Sequence, residues 1–244
     1  MSWPLDDETA SPHFSIRCLE ESMLINADFS RRAIVTPHEY QWVASPQGGV
    51  ERVMLDRVGA EKARATSIVR YAPGSHFPRH QHPAGEEILV LSGTFSDEGG
   101  HYPAGWYLRN PPGSCHQPSS REGATIFVKL RQMPLHEARR VRVDTHDPAA
   151  WRRQNGREVC PLFAGDTEQV CLHRVAPNDA LVTAQGDGAE LLVLTGAVVA
   201  EGEIYGSGSW IRVPADDSLN VVAASQGATV YLKTGLPVAI GAEV

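Results

Sequence analysis

The stretch from Gly74 to Gly93, GSHFPRHQHPAGEEILVLSG, decides the fold and the chemistry of this chain. His80 and His82 stand at alternate positions. Side chains on a strand repeat every two residues, so both imidazoles would share one face and lie close enough to chelate a single ion. Glu86 follows Pro83-Ala84-Gly85, a turn that ends that strand and sends the chain back, so its carboxylate can close on the same point. A glycine marks each end.

Downstream, Gly105 to His116 reads GWYLRNPPGSCH, where Pro111, Pro112 and Gly113 make a turn and His116 opens a new hydrophobic run. Any one of these histidines alone reads as a surface residue. Their joint spacing, G-x5-H-x-H-x3-E-x6-G followed by G-x5-P-x-G-x2-H, reverses that reading. The two motifs resemble the two-part signature of the cupin superfamily at every position except the trailing Asn, where Ser120 stands. The resemblance implies an all-β jelly roll holding a metal on His80, His82, Glu86 and His116.

The rest of the chain agrees with that architecture. Val50 to Val58, Ala63 to Tyr71, Ile88 to Leu91, Trp106 to Arg109 and Thr125 to Leu130 read as short strands parted by Gly and Pro turns, with almost no helical period. Asp97 to Gly100 reads as a hairpin tip. A repeat is also present: Leu89-Val90-Leu91-Ser92-Gly93 matches Leu192-Val193-Leu194-Thr195-Gly196 at an offset of 103, as do Tyr102 with Tyr205, Gly105 with Gly208 and Pro111 with Pro214. Glu51 to Val58 matches Glu168 to Val175 at an offset of 117, which implies 14 residues missing from the second copy. The expected fold is therefore a double cupin, two jelly-roll barrels in tandem with the second degenerate. The expected segments are an N-terminal extension over 1–28, a metal-binding barrel over 29–135, a linker over 136–157 with one helical turn near His136 to Arg140, and a metal-free barrel over 158–244. Through the repeat, His80 falls on Thr183, His82 on Gln185, Glu86 on Ala189 and His116 on Leu219, none of which replaces its counterpart. Glu190 matches Glu87 rather than Glu86, and one residue along a strand means the opposite face. The second copy is read as a packing and contact element without chemistry.

Composition excludes several classes. The chain has 244 residues, 42% hydrophobic, and a formal charge of −7 with no long basic run, so nucleic-acid and polybasic membrane footprints are missing. Arg31-Arg32, Arg139-Arg140 and Arg152-Arg153 read as solvated pairs. The acidic start lacks signal-peptide character and no apolar run reaches a membrane span, so a cytoplasmic protein is expected. Cys18, Cys115, Cys160 and Cys171 form no C-x-x-C, which argues against a disulfide framework or thiolate zinc site. Cys115 should face away from its neighbour His116, as a core thiol. Glu87, Arg70, Arg79, His76 and His101 are read as exposed strand or loop residues rather than groups that orient ligands.

The runs from Gly49 to His116 and TIFVKLRQM closely resemble the ChrR-like cupins, the zinc-binding C-terminal domains of ChrR anti-sigma factors and their stand-alone two-cupin relatives. The likeness covers about Asp28 to Met133 and, loosely, the repeat. It implies one divalent ion per chain, zinc ahead of iron, manganese or nickel. The residues ahead of the barrel supply no H-x3-C-x2-C, so sigma-factor binding is not carried over. Three neutral imidazoles and a carboxylate leave a divalent ion with about one positive charge, suited to a small anionic or diketone-like ligand. A sensor or regulatory cupin without turnover, a non-haem metal-dependent dioxygenase acting on a diketone-like substrate, and a purely structural ion all remain open. The expected assembly is a homo-oligomer, a dimer.

Overall fold

A computed structural model describes residues 23–236 apart from 61, 185 and 187, so most of the N-terminal extension, Cys18 and Gln185 lie outside the described residues. The chain is almost entirely antiparallel β, folded as two jelly-roll halves. In the first half the strands Val50–Val58, Arg64–Tyr71, Ala124–Leu130, Glu86–Asp97 and Trp106–Asn110 lie side by side in that order. The facing wall is a short ladder of His80–His82 on Ser114–His116, with Ser75–His76 on Ser119–Ser120 beside it. In the second half the order is Arg157–Ala164, Gln169–Val175, Asn220–Thr234, Ala189–Ala200 and Trp210–Val213.

The hydrogen-bonded register corrects one expectation from the repeat. Gln169–Val175 pairs with Asn220–Thr234 as Arg64–Tyr71 pairs with Ala124–Leu130, so that Val175 faces Ala228 where Tyr71 faces Ala124. The counterpart of Gln169–Val175 is thus Arg64–Tyr71 at an offset of 104, not Glu51 to Val58 at 117, and no 14-residue deletion exists between these blocks. Two neighbouring strands that both alternate apolar and polar residues look alike in sequence. Only the partner they bond to tells them apart.

The halves also exchange edges. Ala33–Val35 pairs with Trp210–Val213 of the second half, and Val141–Asp144, in the stretch expected as linker, pairs with Trp106–Asn110 of the first. The helical turn of that stretch lies at Pro148–Ala150 rather than near His136 to Arg140. Asp147 caps it by accepting from the Ala149 amide, and Pro148 presets its first residue.

Each half encloses its own apolar core, one around Ile88, Phe95, Leu108 and Ile126, the other around Leu191, Val193, Ile211 and Val230. A third core joins them: Leu55, Ile68, Leu89, Tyr107 and Phe127 from one half pack with Cys160, Phe163, Leu172, Trp210 and Tyr231 from the other. Buried charges run through this junction. Glu87 accepts from Arg109 at 3.1 Å, Lys233 at 3.0 Å and the Tyr231 hydroxyl, while Arg109 also pairs with Glu168. Glu190 accepts from Trp210 Nε1 at 2.7 Å and pairs with Lys129, and Arg212 lies 3.2 Å from Asp56. Glu87 and Glu190, Arg109 and Arg212, and Lys129 and Lys233 are repeat-related pairs, so the junction has an approximate two-fold. Glu87 is therefore neither exposed nor directed at the histidines. Its position one residue after Glu86 turns it outward onto the other half.

The glycine closing the first motif has a steric cause. Gly93 has φ +67°, and a Cβ there would lie 2.0 Å from the Gly123 carbonyl; its repeat partner Gly196, φ +71°, would meet Gly227 at 2.1 Å. Only glycine fits that crossing. Among the described residues no helix is long and apolar enough to cross a membrane.

Candidate metal centre

The ladder places the histidines. His116 lies opposite His80, and Ser114 opposite His82, so the period of two brings all three imidazoles to one face. Their ring centroids form a near-equilateral triangle of 4.7, 5.1 and 4.9 Å. One nitrogen from each lies within 4.8 Å of the others, the single such group of metal-binding side chains found among the described residues. Glu86 joins from the opposing sheet. Its Oε2 lies 3.5 Å from His82 Nε2 and 3.4 Å from His116 Nε2, and those two nitrogens are 3.0 Å apart. His82, Glu86 and His116 are buried, whereas His80 at the mouth is half-buried. The structure thus brings together all four residues that the spacing singled out.

The groups behind these donors fix which nitrogens point inward. His116 Nδ1 lies 3.2 Å from Asp97 Oδ2, and His80 Nδ1 lies 2.9 Å from the Pro78 carbonyl. Both partners are acceptors, so both Nδ1 atoms carry the proton and the Nε2 lone pairs face the middle. Glu86 Oε2 accepts from Asn110 Nδ2 at 3.0 Å, and Asn110 Oδ1 in turn accepts from Arg142 at 2.7 Å. Lone pairs of neutral imidazoles and a carboxylate, held at 3.0 to 3.5 Å, repel unless a cation sits among them. Two donors sharing an ion at about 2.1 Å stand roughly 3.0–3.4 Å apart, so these residues fit a metal.

Protonation follows the same electrostatics. Burial pushes His82 below its ordinary value, with His116 and His80 adding and Glu86 opposing. Burial acts on His116 likewise, but the Asp97 hydrogen bond and the Glu86 carboxylate outweigh it and hold the imidazole above its ordinary value. Asp97 is itself held low despite burial, by His116 and the Gly99 amide. A proton on His116 and a metal ion answer the same local demand for positive charge.

Asp97, Asn110 and Arg142 were not legible as site residues. Asp97 reads as hairpin tip, and eleven positions from Glu86 a regular strand would turn it to the wrong face. A bulge at Leu91, where Ser92 pairs with Thr125 but Val90 with Ile126, shifts the phase and returns Asp97 inward. Asn110 lies directly opposite Glu86 in the register. Arg70, Arg79, His76 and His101 are exposed, as expected. Cys115 is exposed rather than a core thiol, its Sγ 2.9 Å from Arg79 Nη2. The ladder at the rim has solvent behind it, so facing away from the ion means facing water.

In the second half Thr183 and Leu219 occupy the places of His80 and His116. Thr183 N donates to the Leu219 carbonyl at 2.9 Å, and Leu219 N donates to Thr183 Oγ1 at 3.0 Å. Ala189 and Leu219 are buried in the apolar core.

The family model for the ChrR cupin-like domain matches residues 30–134. No curated protein matches the sequence. Among solved structures, a candidate dioxygenase from Nostoc punctiforme aligns with TM-score 0.70 at 15% identity, covering 86% of this chain and 85% of its own. The pirin YhhW from Escherichia coli in complex with nickel(II) aligns at 0.62 and 15%, covering 85% of this chain and 100% of its own. Bacillus subtilis oxalate decarboxylase, with Mn(II) centres, aligns at 0.58 and 13%, covering 85% and 78%. At these identities the likeness is one of fold. The family match over 30–134 thus falls on the half of the chain that holds the three histidines and Glu86.

Proposed function

We propose that this chain is a zinc-binding bicupin of the sensor or regulatory type, with one ion held by His80, His82, Glu86 and His116 and none in the second half. The observation that carries the reading is the convergence of three imidazole nitrogens and one carboxylate oxygen, with the Nδ1 protons of His116 and His80 taken up by Asp97 and the Pro78 carbonyl and the Glu86 carboxylate held by Asn110. A divalent ion there supplies Lewis acidity and a local positive charge. Zinc prefers four ligands, so the four residues together fill its shell and leave it a stabilising or reporting role. Asp97 keeps the proton on His116 Nδ1, and the Arg142–Asn110 pair keeps Glu86 Oε2 turned inward.

A second reading, a metal-dependent dioxygenase for a small diketone-like substrate, is favoured by one feature: His80 is the half-buried ligand at the mouth, which leaves an approach to the centre from solvent. Iron, manganese or nickel prefers six ligands and would leave two positions for water or a bidentate anion. Elemental analysis of protein purified without added metal, followed by oxygen uptake of zinc-loaded and iron-loaded protein against a diketone panel, separates the readings. One zinc per chain and no uptake with any metal supports the regulatory reading. Uptake with iron that vanishes in His116→Ala replaces it with the oxygenase.

A further inference from the structure

The second half has a cavity beside the counterparts of the first-half donors, lined by Thr183 but by neither Ala189 nor Leu219. It has a volume of about 390 Å³, opens beside Thr183, the counterpart of His80, and lies within the jelly roll between Arg157–Ala164 and Gln169–Val175. That is within the size range of small-molecule sites.

Its lining is chemically one-sided. Val159, Leu181 and Leu232 form an apolar floor, and Arg152, Arg157 and His173 supply the ionisable groups, while no carboxylate of the described residues lines it. In a chain with formal charge −7 this is an unusual concentration of uncompensated positive charge. Neither arginine forms an ion pair among the described residues; Arg157 spends one donor on the Ala180 carbonyl at 2.6 Å. Arg157 Nε and His173 Nδ1 are both buried without a hydrogen-bond partner. Arg109 and Arg212 likewise leave Nε without a partner, but their guanidinium groups meet the carboxylates of Glu87 and Asp56, for which Arg157 has no counterpart among the described residues. A buried donor without an acceptor is costly, and a ligand oxygen satisfies Arg157 Nε, while His173 Nδ1 accepts or donates according to its tautomer.

We propose that this cup binds a small organic anion, a carboxylate with an apolar body, its oxygens on Arg157 and Arg152 and its body on Val159, Leu181 and Leu232. A planar guanidinium fork matches a carboxylate, and the apolar floor distinguishes such a ligand from a bare inorganic ion. Burial and the neighbouring Arg157 hold His173 down at about 4, so its imidazole is neutral at physiological pH and serves as a hydrogen-bonding wall, the charge coming from the two arginines. The second half thus has a ligand site of its own, independent of the metal.

The test is calorimetric titration of the full metal-loaded chain with benzoate, using benzamide as the neutral probe of the same shape. Benzoate should bind once per chain and benzamide at least about tenfold more weakly. Arg157→Gln should lower benzoate affinity about tenfold, and Arg152→Gln, at an exposed position where the fold is not at risk, about threefold. His82→Ala, which disables the first-half centre, should leave benzoate binding unchanged. The proposal is overturned by no benzoate heat, by equal binding of benzamide, or by binding that survives Arg157→Gln and Arg152→Gln but is lost in His82→Ala, which would put the anion at the metal.

Discussion

Where the first half sets His80 against His116 on its rim ladder, the second sets Thr183 against Leu219, and the difference extends behind the donors. At the repeat offsets Glu86 becomes Ala189, Asp97 becomes Ala200 and Asn110 becomes Val213, all buried. The opposite face of the same strands was kept: Glu87 and Glu190, Arg109 and Arg212, Lys129 and Lys233 all remain and all meet at the junction. Adjacent residues on one strand thus answer to different demands. The inward face lost donors and their supporting hydrogen bonds together, because a carboxylate or amide left without its partner inside a core costs more than an alanine or valine. The outward face kept its charges because each half's lysine is bonded to the other half's glutamate.

The largest effect should come from removing the inward donors of the first half. His82→Ala with Glu86→Ala should reduce bound metal from one per chain to none by elemental analysis; two ions in the parent chain, or tight stoichiometric metal in the variant, would erase the contrast between the halves. Next is the shared junction. Glu87→Ala removes one of the two carboxylates that Lys233 and Arg109 share and leaves both buried cations on Glu168 alone, and denaturant unfolding should show a loss of about 3 kcal/mol. A loss below 1 kcal/mol would mean that water reaches the junction.

Acid should reveal the same group. Despite burial, Lys233, Arg109, Lys129 and the Tyr231 hydroxyl hold Glu87 down to about 2 from an ordinary 4.5. The folded value lies below the unfolded one, so the contribution is complete above about 4.5 and is lost as pH falls from there through 2, about 3 kcal/mol in all. Stability of Glu87→Gln should be correspondingly flatter over that window; parallel curves for the two proteins would contradict the assignment.

A smaller effect isolates the groups behind the ligands. Asp97→Ala frees the His116 ring and should weaken metal affinity about 10- to 100-fold in a chelator competition, with the fold intact by circular dichroism. Unchanged affinity would show that the Asp97 hydrogen bond does not position His116 for a metal. The smallest belongs to the second half: Thr183→Ala removes one acceptor for the Leu219 amide, costing about 1 kcal/mol and no metal. A change in metal content there would link the two rims.

Much of this was legible in residue spacing. His80, His82 and His116 are found from the sequence because a strand's period of two converts alternate positions into one face, and the turns at Gly85 and Gly113 are local chemistry. Asp97 was not, because a bulge at Leu91 reverses the face on which it falls, and a bulge is decided by the partner strand. The sequence by itself determined the jelly-roll class, the convergence of His80, His82, Glu86 and His116 and the absence of their counterparts from the repeat, since each follows from short-range pattern. Tertiary structure alone decided the pairing of Gln169–Val175, the exchange of Ala33–Val35 and Val141–Asp144 between halves, the burial of Glu87 at the junction and the cationic cup of the second half. These rest on contacts between residues far apart in the chain, and neither periodicity nor composition carries information about which distant strand supplies the hydrogen bonds.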